Sequence, residues 1–499
     1  MKKIYFALCA FAVLILSSCG EDFVTAVHNS SEPQSEYYLN EERMFQGLVA
    51  AYHPLKWLDY FDQYTSINLV SDIMADDIYC GGSNDGDQPK LVKTHYYTLT
   101  ADDQSDRLWT TTYSGINRAC HVLENVDGVP GMSDQTKALY KAEATVLKAY
   151  YYTILWKLWG NVPYYDVNLQ APYTCRQHTA DEVYEKIVTN LEGVFEMNVL
   201  PMKASAGNEG RVTKAMAYML YAEAVMYQCD SDRYDEALGY MKEIISSGEY
   251  DLVDDYASLW LTSGEWSKES IWEINYFSNG GARSWGSPLT SGGTVYPMLI
   301  GIPGATEASG YSDGWGFGPV AKSAWDMYED GDTRREGGII EYDAEFDPIP
   351  AEKRRWQWTG YYLRKYVGKR DGNAGQIADA DMNHGNNLRI YRYAETLLNA
   401  AELSVLTGAD GSSYLAEVRA RANCSETGTT QLDILEERHK EFVGEGKRYW
   451  DLIRTGQAEA VLKAANHEWR KNDWTPNKKY WPIPQSEIDK DPALKQNNY

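Results

Sequence analysis

The sequence predicts an α fold: a scaffold of paired helices carrying one long irregular insertion with a few short strands. Three observations lead there. Apolar residues recur at helical spacing from about residue 40 to 260, and again from 387 to about 456. Two helical stretches, 142–159 and 215–227, are apolar nearly all round, so each must be covered on both sides. At Leu261 the composition turns to Gly, Ser, Trp and Tyr, and helical period is lost until Asn387.

The elements follow in order. Asn40 precedes Glu41 and Glu42, a cap followed by acids in a first helical turn. Phe45, Leu48, Val49 and Tyr52 share one stripe of that helix, and Pro54 marks its end. The next stripe is Tyr113, Ile116, Ala119 and Leu123, within 109–126. Both all-apolar helices contain a small-Glu-small step, Ala142-Glu143-Ala144 and Ala222-Glu223-Ala224, and Ala400-Ala401-Glu402 resembles it in a helix over 391–406. Tyr234-x-x-Ala237, followed by Met241 and Ile244, has the Y-x-x-A spacing of a tetratricopeptide second helix. Doubly buried helices in pairs suit a tetratricopeptide-like solenoid, although no fixed period of about 34 residues runs through the chain. Inside the insertion, residues 270–276 read as a strand.

The N-terminus reads as an export signal: Lys2 and Lys3, then an apolar run over 4–16 too short to span a bilayer. Leu16-Ser17-Ser18-Cys19 resembles a bacterial lipobox, which makes Cys19 the lipidated first residue of the mature chain; ordinary secretion with an incidental Cys is the alternative. The acidic Gly20-Glu21-Asp22 resembles the surface-export signals of some Gram-negative lipoproteins. Residues 20–36 form a polar tether that reaches roughly 50 Å when extended. The expected organisation is a signal peptide at 1–18, a lipidated tether at 19–36 and one domain at 37–499. Its helical scaffold covers 37–260 and 387–499, and its irregular region covers 261–386. The remaining cysteines, Cys80, Cys120, Cys175, Cys229 and Cys424, are odd in number and lack C-x-x-C spacing. They read as buried small hydrophobes rather than as a disulfide framework or zinc site.

Composition excludes some functions. With 47 Lys and Arg against 72 Asp and Glu, the net charge is −25. That balance argues against tracking a nucleic-acid backbone or docking on an anionic leaflet. Aromatic usage is unusual: 39 Tyr and 16 Trp stand against 10 Phe. Since a buried hydroxyl needs a partner, this excess points to half-wet surfaces such as interfaces or ligand platforms.

Near the C-terminus, Glu437-Arg438-x-x-Glu441-Phe442-x-x-Glu445-Gly446-x-Arg448-x-x-Asp451-Leu452-x-Arg454 alternates acids and bases at helical steps. Its spacing pairs Arg438 with Glu441, and Arg448 with Asp451, as an ion network that fixes two helices. The same run resembles the C-terminal signature of the SusD/RagB family of outer-membrane glycan-binding lipoproteins. So do Pro482-Ile483-Pro484-Gln485-Ser486-Glu487-Ile488 and the terminal Asp491-Pro492-x-Leu494-x-Gln496-Asn497. Gly160-Asn161-Val162-Pro163, Gly210-Arg211-Val212-Thr213 and Arg392-Tyr393-Ala394-Glu395 match further parts of the family pattern, and Gly314-Trp315-Gly316 and Asp332-x-Arg334 mark the middle. The resemblance implies four tetratricopeptide-like pairs. It also implies a surface lipoprotein that captures oligosaccharide and passes it to a SusC-like TonB-dependent transporter, with no catalysis, cofactor or nucleic-acid partner.

Sugar rings stack their C–H faces on Trp and Tyr while their hydroxyls pair with Asp, Asn and Arg. The candidate ligand-binding residues are therefore Asp77, Tyr79 and Asn84 in the loop after the second helix, and Trp285, Tyr296, Tyr311 and Trp315 in the insertion. A core plug is an equal reading of Trp315 between its glycines. Trp356, Trp358, Tyr361 and Tyr362 read as packing. Gly310-Tyr311-Ser312-Asp313-Gly314 matches G-x-S-x-G but lacks the preceding strand of a hydrolase elbow. Asn84-Asp85-Gly86-Asp87 fits a plain turn better than a calcium loop. Two other functions remain beside glycan capture: a surface glycoside hydrolase, and a peptide-capturing lipoprotein on the same scaffold.

Overall fold

The structure, a computed structural model, describes residues 37–59, 66–305 and 309–499. The signal peptide, Cys19 and the tether lie outside them. The fold is mostly helical. Asn40 caps α1 (Glu41–Tyr52) by accepting from the Arg43 amide at 3.0 Å. After α2 (Ile67–Met74) and α3 (Pro89–His95), α4 (Asp106–Asn125) packs on both α1 and the long α5 (Asp134–Trp159). α6 (Ala180–Met197) opens with a Thr179–Glu182 capping box and lies on α5. α7 (Lys214–Gln228) and α8 (Tyr234–Ser246) pair, and α8 packs on α9 (Tyr393–Leu406). α9 in turn supports α10 (Ser412–Ala422) and α11 (Gln431–Phe442), and α11 leads to α12 (Arg448–Arg454).

Strands are few and short. β1 (Val162–Pro163) pairs with β2 (Gln177–His178), β3 (Ser270–Ile274) with β6 (Leu388–Arg392), and β4 (Ile339–Glu341) with β5 (Tyr361–Leu363), all antiparallel. The β3–β6 pair closes the two ends of the insertion like a clasp, with Ile274 opposite Leu388. Because residues 388–392 join this ladder, α9 starts at Tyr393 rather than at Tyr391 as its apolar pattern suggests.

Each small-Glu-small step now has a physical reason. In each step a glutamate within a largely apolar stretch meets a cation brought by another element, with Glu143 and Glu402 buried and Glu223 partly so. Glu143 accepts from the Tyr52 hydroxyl and pairs with Arg211, Glu223 pairs with Lys157 and accepts from Tyr391, and Glu402 takes the Arg454 fork. The flanking alanines are fully buried, so the neighbouring element can approach closely enough to deliver its charge.

The C-terminal signature forms an ion network, but its partners are distant in sequence. Arg438 pairs with Asp451 at 3.0 Å, and Arg448 forks onto Asp76 at 2.9 and 3.0 Å. Glu441 sits between Arg334, Arg392 and Arg421, and Glu445 between Arg392 and Lys365. Glu269, Asp332, Glu437 and Arg419 complete a hub in which five cations meet five carboxylates, all buried or nearly so. Helical spacing offered the Arg438–Glu441 and Arg448–Asp451 pairs; the chain uses these side chains instead to join α11 and α12 to the insertion and to residues 72–77.

Two further expectations change. On α1 the core stripe is Met44, Gly47, Leu48 and Ala51, whereas Phe45 and Val49 are 40% and 39% exposed beside a groove that Lys56 and Asn275 also line. Of the five cysteines only Cys80 and Cys120 are buried. Cys229 is exposed because it occupies the left-handed position after α7 (φ +58°), which turns its thiol toward the Arg454 carbonyl. Among the described residues no helix is long and apolar enough to cross a membrane.

Candidate functional site

The insertion is irregular but tightly anchored. Arg283, 1% exposed, forks onto Asp59 at 2.8 and 3.0 Å and donates to the carbonyls of Gly293 and Pro288. Asn383 accepts from the amides of Arg283 and Gly293 and donates to the carbonyls of Arg283 and Asp379. Asp379 then receives the Trp285 amide at 2.8 Å. A loop of this length needs such internal partners, since its backbone has little ladder to bond to.

Trp315 reaches the surface on a second anchored loop. The amides of Gly314, Trp315, Gly316 and Phe317 donate to the carbonyls of Ile302, Met298, Gly301 and Leu299. Gly314 is required there, because a Cβ would fall 2.2 Å from the Gly301 backbone. The outcome is a pair of indoles: the Trp285 and Trp315 centroids lie 5.8 Å apart with planes inclined by 32°. Trp285 is 42% exposed and Trp315 half-buried, so the pair presents a partly open aromatic surface. The turn carrying Asn84 stands beside it. Its stem runs through Gly81 and Gly82 against Gly316 and Phe317, with the Gly82 amide donating to the Gly316 carbonyl at 3.0 Å. Asn84 and Asp85 are exposed, and Asn84 accepts from the Gly86 amide at 2.8 Å in a self-contained turn.

The other candidate residues lie in the interior. Asp77 is 3% exposed and bonds His439 of α11, next to the Asp76–Arg448 fork. Tyr79 meets Trp469 edge-on at 4.8 Å. Tyr296, 2% exposed, packs on Tyr366, and burial pushes its hydroxyl pKa well up. Tyr311 accepts from Arg364 at 2.7 Å and carries the Lys369 ammonium 3.8 Å above its ring. Thus the structure brings Trp285 and Trp315 together, sets the Asn84 turn near them, and uses the remaining four to support packing. Tyrosines divide this way because sequence does not say which hydroxyl finds an internal partner.

Of two further neighbours, Arg355 escaped the sequence reading and Trp356 was read as packing. The aliphatic stem of Arg355 lies against Gly316, and the Trp356 amide donates to the Gly82 carbonyl at 3.1 Å. The basic-aromatic run Lys353-Arg354-Arg355-Trp356 was the available signal. The G-x-S-x-G run holds no hydrolytic geometry. Ser312 Oγ donates to the Lys369 carbonyl at 2.8 Å. Nearby His384 is fully buried, its pKa lowered to about 4 by burial, and neither ring nitrogen has a partner to orient it.

Comparison with known proteins places this geometry. A profile described as the SusD family matches residues 347–499, and one described as starch-binding associating with outer membrane matches residues 32–224. Surface glycan-binding protein A from Bacteroides thetaiotaomicron, solved in complex with laminarihexaose, is 45% identical. The match covers 92% of this chain and all of that one, with a TM-score of 0.87. Surface glycan-binding protein A from Bacteroides fluxus is 38% identical over 92% of this chain and 99% of that one, with a TM-score of 0.85. SusD-like protein P25 of Formosa agariphila is 25% identical, covering 98% of this chain and 97% of that protein. With the signature, the helical scaffold and these likenesses running the length of the described chain, the protein belongs to the SusD/RagB family.

Proposed function

We propose that this chain is a surface lipoprotein, anchored through Cys19, that captures β-1,3-linked gluco-oligosaccharide without cleaving it and delivers it to a TonB-dependent outer-membrane transporter. The observation that carries the reading is the Trp285–Trp315 pair. A sugar face stacked on one indole hides on the order of 100 Å² of apolar area, worth about 2.5 kcal/mol before ordering costs. Two rings together exceed the roughly 4 kcal/mol that millimolar affinity requires, and one does not. The 32° inclination favours a chain that curves between successive residues over a flat ribbon. A β-1,3 linkage curves in this way, in keeping with the laminarihexaose bound by the Bacteroides thetaiotaomicron relative. Exposed Asn84 and the guanidinium of Arg355, whose stem lies against Gly316, supply polar groups at the edge for ring hydroxyls. Cys19, the transporter and the absence of cleavage rest on the lipobox and on family membership.

Calorimetry of the mature protein with laminarihexaose, cellohexaose, maltohexaose and a mixed peptide pool tests this. Laminarihexaose binds at least about tenfold tighter than cellohexaose, and its chain length is unchanged after overnight incubation. Shortened products, or heat from the peptides alone, would overturn the reading.

A further inference from the structure

The platform depends on three separate stretches of chain, at 80–82, 314–318 and 356–357, meeting in one place. Gln357 lies at their junction. It is 3% exposed, and its Oε1 accepts from the Gly81 amide at 2.8 Å across 276 residues of sequence. Its neighbour Trp356 donates its amide to the Gly82 carbonyl, and Gly82 donates to Gly316 beside Trp315. Gly81 itself has no room to shift: φ is +70°, and a Cβ would meet the Gly316 carbonyl oxygen at 2.4 Å.

Gln357 holds this position at two visible costs. Its backbone sits in the left-handed region at φ +57°, which a residue with a long side chain rarely adopts. Its Nε2 is buried without a hydrogen-bond partner among the described residues. Strain and an unsatisfied donor persist in a native fold where the surroundings over-determine them, as at ligand sites. No helix or strand imposes either cost, because Gln357 lies in neither. Among the described residues its one hydrogen bond is the bond to the Gly81 amide.

We propose that Gln357 is a positioning residue for glycan binding: its side-chain carbonyl fixes the Gly81 amide and so sets the Asn84 turn against the Trp285–Trp315 platform before ligand arrives. Held in advance, the turn loses no freedom on binding, and that entropy is retained as affinity. The inference rests on the proposed glycan function for its ligand, but the clasp itself is testable without one.

The test uses the mature chain, laminarihexaose as probe, and three variants. Gln357→Glu keeps the acceptor. Gln357→Met keeps the length and removes it. Gln357→Asn favours the left-handed backbone but is too short to reach Gly81. Expected are Kd within about threefold of wild type for Gln357→Glu and about tenfold weaker for Gln357→Met and Gln357→Asn. Amide hydrogen exchange across 80–88 should speed up in the two weakened variants, with the melting temperature of Gln357→Asn close to wild type. Equal affinity in wild type and Gln357→Met, or unchanged exchange at 80–88, overturns the proposal. So does a loss in all three variants that tracks melting temperature. If wild type itself ignores laminarihexaose, the glycan reading fails, and exchange at 80–88 still decides whether Gln357 clasps the turn.

Discussion

The charged hub under α11 and the aromatic platform on the insertion use opposite strategies with residues the chain has in excess. In the hub, Arg334, Arg392, Arg421, Arg419 and Lys365 meet Glu269, Asp332, Glu437, Glu441 and Glu445 away from water, each charge facing an opposite one. On the platform, Trp285 and Trp315 keep part of their area uncovered although Trp315 packs against the main core. A charge can be buried only when its partner is already present, so the hub is complete before any ligand arrives. An indole can wait partly exposed at modest cost, so it can serve something that is not yet there. The difference separates what makes the protein fold from what lets it bind, and perturbing one should leave the other standing.

The sharpest break is Arg392→Leu. It leaves Glu269, Glu441 and Glu445 facing one another without their shared cation, which costs about 3–5 kcal/mol of stability. Urea unfolding measures that loss, while calorimetry on the folded fraction should find laminarihexaose affinity unchanged. Reduced affinity at full occupancy of the fold would show that the two regions are coupled.

Acid gives a graded version of the same separation. Burial alone would raise the pKa of Glu441, but Arg421, Arg392, Arg334 and Lys365 outweigh it and hold the group at about 2. Burial likewise opposes Glu223, which Lys157 and Lys447 bring to about 2. Both folded values lie below the ordinary 4.5, so the unfolded chain binds protons first. Their contribution is fully present above about pH 4.5 and is lost as pH falls toward 2. Thermal melts should therefore decline most steeply below about pH 5, beyond a shallower loss that begins near pH 6.5 as the unfolded chain protonates histidines such as His384 that the fold keeps neutral, and Kd for laminarihexaose should stay level until unfolding begins.

The smallest effect on the fold accompanies the largest on binding. Trp315→Ala should weaken laminarihexaose by about 2 kcal/mol, roughly thirtyfold in Kd, with about 1 kcal/mol lost from stability. Tyr296→Phe is its internal control. It removes a buried hydroxyl that has no partner among the described residues, so the calorimetry should match wild type and the melting temperature should be equal or higher. Weaker binding by Tyr296→Phe would move the platform boundary inward.

Much of the architecture was legible because it is local. Helical period, the Asn40 cap and the all-apolar character of α5 and α7 are written within a few turns of chain, and the composition break at Leu261 marks where that language stops. The site was legible only by residue type. Trp285 and Trp315 were named together with Tyr296 and Tyr311, since nothing within a window of sequence distinguishes an aromatic that will be covered from one that will not.

The helices, the position of the irregular insertion, the acidic charge and the family can be read from the chain alone, because periodicity, composition and contiguous motifs survive without a fold. The partners are chosen in three dimensions. Arg448 takes Asp76 rather than Asp451, Gln357 takes the amide of Gly81, and two tryptophans thirty residues apart share one surface. Each of those choices depends on which distant segment arrives close enough to repay the cost of desolvating a charge or ordering a loop. That cost is set by three-dimensional proximity, on which spacing along the chain is silent.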